Sequence, residues 1–138
     1  MIYVSGPVVE KLDKTSLHAR IYKSIEQIVS NKHKVELPIR ASALTKLSPP
    51  EFYNAIASKI IAADGVITLW VPNDQSTVVE TTTAALSDKH QCVLFLSKTS
   101  PPRIMRGLPK VLEVTEIGPT NLDDEVRRVV ERLLKSIG

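Results

Sequence analysis

Val66-Ile67-Thr68-Leu69-Trp70-Val71 is a nearly unbroken apolar run of β-branched and aromatic residues, entered through Ala62-Ala63-Asp64-Gly65 and left through the polar loop Pro72-Asn73-Asp74-Gln75. A strand wetted on one side alternates apolar and polar residues, whereas a run without alternation belongs to a strand covered on both faces. The stretch therefore reads as the central strand of a parallel sheet, with helices above and below it.

The elements on either side agree. Ile2-Tyr3-Val4-Ser5, stopped by Gly6-Pro7, reads as the first strand. Leu17, Ile21, Ile25, Ile28 and Val29 recur at helical spacing and make a first helix, and Val35 to Leu37 is a short second strand. Ser48-Pro49-Pro50-Glu51 combines a capping hydroxyl, proline at the first helical position and a glutamate placed for a capping box. It opens a second helix whose expected buried face is Phe52, Ile56 and Ile60. Downstream, Thr77 to Leu86 reads as a third helix, Gln91 to Leu96 as a fourth strand and Val111 to Val114 as an edge strand, after a long loop. The last helix carries the stripe Val126, Val129, Val130, Leu133, Leu134 and Ile137, with Thr120 or Asn121 as cap and three acidic residues in its first turn. Strands alternating with helices, joined by right-handed crossovers, predict a three-layer doubly wound, flavodoxin-like α/β fold. About five parallel strands in the order 2-1-3-4-5 are expected.

With 138 residues, 43% hydrophobic and 24% charged, the chain is expected to form a single domain over residues 1–138. No stretch approaches the length of a membrane helix, and the first residues lack the pattern of a signal peptide, so a cytoplasmic protein with no membrane association is expected. The net charge of +3 is spread along the chain, and only 4% of residues are aromatic, so nucleic acid is not expected as a partner. Cys92 lies inside an apolar strand and reads as a structural thiol.

Ligands in such sheets collect beyond the carboxyl ends of the strands where strand order reverses, here between strands one and three. The segments at that point are Ser5-Gly6-Pro7 and Pro72 through Glu80, which together bring a glycine turn and the carboxylates Asp74 and Glu80. No dinucleotide fingerprint, phosphate loop or zinc-spaced His/Cys cluster occurs, so neither cofactor nor metal is expected. Structural readings of the same residues stand beside this one. Thr77-Val78-Val79-Glu80 also has capping-box spacing, Asp74 also suits a turn, and Tyr3 also suits the edge of a core.

Tyr3-Val4-Ser5-Gly6-Pro7, Ala63-Asp64, Asp74 and Glu80-Thr81-Thr82-Thr83-Ala84, in that order and spacing over roughly residues 1–107, resemble the nucleoside 2-deoxyribosyltransferases and the related nucleoside 5′-monophosphate N-glycosidases. The resemblance implies cleavage or transfer at the N-glycosidic bond of a nucleoside or nucleotide, in a domain of that type. Glu80 would be the nucleophile, Asp74 the second carboxylate and Tyr3 the residue that positions Glu80. A carboxylate that forms a covalent intermediate suits a glycosidic carbon passing through an oxocarbenium-like state. Ser5, Gly6, Pro7, Ser76 and Thr77 would border the substrate, and a homodimer is implied.

Lys98, Arg103 and Arg106 stand in the loop after strand four, where Ile104-Met105-Arg106-Gly107 resembles a segment of the monophosphate glycosidases; they are the candidate phosphate contacts. Val78 and Thr82 replace glycines that flank the family's glutamate and are expected to narrow the sugar site. Asn54, a further substrate-binding candidate, stands near the position of a family aspartate, and Pro102 stands where the glycosidases place a phosphate-binding serine. Two other readings remain open: a non-catalytic nucleotide-binding or assembly module of the same fold, and a TIR-like domain that cleaves NAD.

Overall fold

The computed structural model describes residues 1–38 and 42–138. Five parallel strands form one sheet in the order β2-β1-β3-β4-β5. They are β1 (Ile2–Ser5), β2 (Val35–Glu36), β3 (Gly65–Trp70), β4 (Gln91–Leu96) and β5 (Val111–Ile117). The helices are α1 (Leu17–Val29), α2 (Ser42–Thr45), α3 (Pro49–Ala62), α4 (Gln75–Leu86), α5 (Arg103–Arg106) and α6 (Leu122–Ile137), with a 3-10 turn at Val9–Lys11. Strand order and direction are those expected from the sequence. The differences are local: β5 runs to Ile117, α4 begins at Gln75, and the loop after β4 contains the short helix α5.

The pleat decides which residues meet, because successive side chains of a strand point to opposite faces. On one face Ile2, Val4, Ile67, Leu69, Cys92 and Leu94 form the main core with the apolar stripes of α1 and α6. On the other, Tyr3 and Val66 pack with Ile60 of α3 and Ala84 of α4, while Trp70, Val93 and Phe95 pack with Met105 of α5. Helix α3 starts as its sequence dictates. The Ser48 side chain accepts from the Glu51 backbone N–H, and the Glu51 carboxylate accepts in return from Ser48. Phe52 differs from expectation. It is 44% exposed, and only Ala57 and Ile60 of α3 are buried.

Buried Cys92 has its thiol pushed up to about 12, chiefly by burial, which fits a packing role. Among the described residues no helix is long and apolar enough to cross a membrane.

The packing makes a contrast that unfolding can read. Leu133 of α6 is fully buried and lies against Gly65, whereas Leu86 at the end of α4 is 84% exposed. Leu133→Ala is expected to lose about 2–5 kcal/mol in urea unfolding, and Leu86→Ala about 0.5 kcal/mol or less. Equal losses would contradict this assignment of the core.

Candidate active site

Alternation in β1 sends Tyr3 and Ser5 to the same face of the sheet, the one α4 crosses. On α4, Thr77, Glu80, Thr81 and Ala84 recur at three and four residue steps and form the stripe turned toward the strands. The two patterns meet at Glu80. The Tyr3 hydroxyl donates to Glu80 Oε1 at 2.9 Å, and the Ser5 hydroxyl donates to Glu80 Oε2. Both carboxylate oxygens are thus held by side chains from a strand more than seventy residues away in sequence.

The first two turns of the underside of α4 are polar, and Ala84 and Ala85 follow them. Thr81 donates to the Thr77 carbonyl at 2.7 Å and lies 3.2 Å from the Thr68 hydroxyl, and buried Gln91 donates to the Thr81 carbonyl at 3.1 Å. A helix that packs mainly for stability presents aliphatic side chains to its sheet. Local rules are broken most often where a site has to be built.

Burial pushes the Glu80 carboxyl above its ordinary value, the hydrogen bonds from Ser5 and Tyr3 pull it back, and the nearby Asp74 carboxylate adds a push upward. Tyr3 is raised above its ordinary value by burial first and by Glu80 next, so at neutral pH it is a hydroxyl donor and not a phenolate. Asp74 is the N-cap of α4 and accepts from the Thr77 backbone N–H at 3.2 Å. The capping-box reading of Thr77 to Glu80 is therefore corrected. Thr77 lies inside the helix, the cap is Asp74, and Glu80 reaches across to β1.

Glu80 opens into a cleft of about 840 Å³. Tyr3, Gly6, Pro7, Pro72, Asp74 and Ser76 line the side formed by the strand ends and α4. Leu44, Leu47, Pro49, Phe52 and Ile56 line the apolar side. An apolar wall facing a few polar groups is the usual make-up of a small-molecule pocket, and the volume is within its usual range. Among the described residues no group of three or more His, Cys, Asp or Glu is arranged to hold a metal ion.

Of the residues singled out in the sequence, Tyr3, Gly6, Pro7, Asp74, Ser76 and Glu80 line the cleft, and Ser5 lies beneath it on Glu80. Thr77 is buried behind Glu80 in α4. Asn54 is on the exposed side of α3 and does not line the cleft. Lys98, Arg103 and Arg106 do not line it either. Arg106 instead stacks over the Phe95 ring at 5.9 Å and donates to the Ser100 hydroxyl at 3.2 Å. Val78 packs beside Trp70, Phe95 and Met105 on the flank of α4 away from Glu80. Thr82 is exposed and donates to the Val78 carbonyl at 2.9 Å. Neither narrows the cleft, contrary to expectation.

Two kinds of lining residue escaped the sequence reading. Lys11 brings a cation to the cleft from the 3-10 turn, a stretch with no periodicity to mark it. Phe52 and Ile56 were expected in the core, because a ligand wall on a helix has the same spacing as a core stripe.

No family model and no curated protein matches the chain. Among solved structures the chain is similar to the CMP N-glycosidase BcmB of Clostridium botulinum, with a TM-score of 0.59 and 14% identity over 92% of this chain and 96% of that one. It is also similar to FerB, a flavoenzyme NAD(P)H:(acceptor) oxidoreductase of Paracoccus denitrificans, with a TM-score of 0.51 and 14% identity over 97% of each chain. At that identity the likeness establishes the flavodoxin-like α/β architecture and a distant fold relationship. A glycosidase and an oxidoreductase share it, so function has to be argued from the site.

The raised Glu80 carboxyl has a consequence for stability. The native state holds a proton there that the unfolded chain releases, so its stabilising effect is full below the ordinary carboxylate range and is lost as pH rises through the raised value. Glu80→Gln has no such ionisation. Its melting temperature is expected to gain on the wild type between about pH 4 and pH 7, and a gap that stays constant or shrinks would count against a buried, destabilised carboxylate.

Proposed function

We propose that the protein cleaves, or transfers at, the N-glycosidic bond of a nucleoside or nucleoside 5′-monophosphate, with Glu80 as nucleophile. The observation that carries this reading is a largely buried carboxylate, gripped by Tyr3 and Ser5, facing a cleft with an apolar wall. The likeness to a CMP N-glycosidase supports the same chemistry.

In this mechanism a Glu80 carboxylate oxygen attacks the anomeric carbon while the carbon–nitrogen bond breaks, its electron pair leaving with the base, which takes up a proton. Water, or a second base in a transfer reaction, then displaces the carboxylate from the same carbon. Tyr3 and Ser5 each offer a single donor, so they aim the carboxylate and favour its ionised form against the effect of burial. Asp74, at the opening of α4, is the second carboxylate, available to orient the sugar or pass a proton. The apolar side, with Phe52, receives the base.

Among the described lining residues Lys11 is the one cation, and we assign it, rather than Arg103 or Arg106, to an anionic group on the substrate.

Chromatography of free base over a panel of nucleosides and monophosphates tests the reading. Glu80→Ala is expected to abolish release that the wild type shows, and release unchanged in that variant removes the assignment. Saturable binding of the panel without turnover by the wild type assigns the cleft to a binding module instead. Lys11→Met is expected to raise KM for a monophosphate about tenfold, the loss of one hydrogen bond to a charged group, and to leave the matching nucleoside unchanged. Equal effects on both would show that Lys11 does not read the phosphate.

A further inference from the structure

Tyr22 belongs to α1, on the face of the sheet opposite α4, and does not line the cleft. It is buried, with 3% of its surface exposed, and its hydroxyl donates to the Pro7 carbonyl at 2.8 Å. Next to that carbonyl stands Gly6, with φ of +156°, in the region that L side chains rarely adopt. A Cβ on Gly6 would lie 2.4 Å from the Tyr22 hydroxyl oxygen and 2.9 Å from the Leu69 carbonyl oxygen. Neither contact is tolerable. The hydroxyl and the glycine therefore form a matched pair, the absence of a side chain on one making room for the other.

Gly6 and Pro7 are the part of the cleft that follows β1, the strand that also carries Tyr3 and Ser5. A displacement of this turn moves the cleft wall relative to Glu80. A buried tyrosine ordinarily fills core volume and gives its hydroxyl to any acceptor nearby. Here the acceptor is the backbone of the cleft itself, and the residue that leaves space for that hydroxyl is a glycine on the same wall. Burial, and then the Asp74 and Glu80 carboxylates, raise the Tyr22 hydroxyl above its ordinary value, so it stays a donor across the working pH range.

Resting on the glycosidase reading for its kinetic consequence only, we propose that Tyr22 is a positioning residue: its hydroxyl, seated in the space left by Gly6 and bonded to Pro7, sets the wall of the cleft beside Glu80. Shape at that wall is shared by bound substrate and transition state, so its loss weakens binding rather than the chemical step.

The experiment combines Tyr22→Phe, which keeps the ring and removes the hydroxyl, with Gly6→Ala and the double variant. Tyr22→Phe is expected to raise KM about tenfold, as for one lost backbone-directed hydrogen bond, with kcat changed less than about twofold. In the protein alone, amide hydrogen exchange at Val9, whose N–H donates to the Pro38 carbonyl at 2.8 Å just past the turn, is expected to quicken in Tyr22→Phe, with that of β4 unchanged. Gly6→Ala should destabilise the wild type more than it destabilises Tyr22→Phe, since the contact with the hydroxyl is present only in the former. Strict additivity, with exchange at Val9 unaltered, overturns the proposal and leaves Tyr22 as core. Absence of turnover in the wild type overturns the glycosidase reading alone, and the exchange and stability results then decide the role of Tyr22 by themselves.

Discussion

The Glu80 carboxylate is taken into the space between a helix and a sheet, where its charge is unfavourable, and is kept there by two hydroxyls from the first strand. Burying an ion is tolerated only when its oxygens are hydrogen-bonded. Tyr3 and Ser5 meet that requirement only if β1 lies beside β3 in the observed register, Tyr3 opposite Val66 and Ser5 opposite Thr68, with α4 crossing directly above. A shift of one residue in β1 would turn both hydroxyls to the opposite face and bring Ile2 and Val4 under Glu80. Fold and site are fixed by the same register.

That constraint explains features that packing alone leaves odd. The inward stripe of α4 is made of threonines, a glutamate and small alanines, and the sheet beneath it offers Ser5, Thr68 and Gln91. Small residues let α4 approach the strands closely enough for Glu80 to reach β1, and Thr81 meets the Thr68 hydroxyl across the interface and donates to the Thr77 carbonyl, while the buried Thr77 hydroxyl is left without a hydrogen-bond partner among the described residues. The opposite face, packed by α1 and α6, is almost wholly aliphatic and supplies the stability that the polar face gives up.

Much of the architecture was legible because it rests on periodicity. The unbroken run at Val66, the stripe of α6 and the capping box at Ser48 each report a local physical requirement, and each reappears in the structure. The cleft was legible in part. Strand order located it, and the alternation of Tyr3 and Ser5 is visible once β1 is known. The rest depended on what a sequence does not encode locally. Spacing alone gives Phe52 the same pattern whether it faces a core or a ligand. The orientation of α4 decided that Val78 and Thr82 leave the cleft open, and the packing of α5 through Met105 on Trp70, Val93 and Phe95 that Arg103 and Arg106 lie outside it. Tyr22 was hidden because a tyrosine on an apolar helix face carries no mark of the glycine it opposes.

The most direct measurement is a carbon-13 NMR titration of the Glu80 carboxyl in the wild type and in Ser5→Ala. Glu80 is expected to titrate above the ordinary glutamate value because of burial, and higher still once the Ser5 hydroxyl that holds it down is removed. An ordinary value that Ser5→Ala leaves in place would contradict the interaction on which both the site and its chemistry rest.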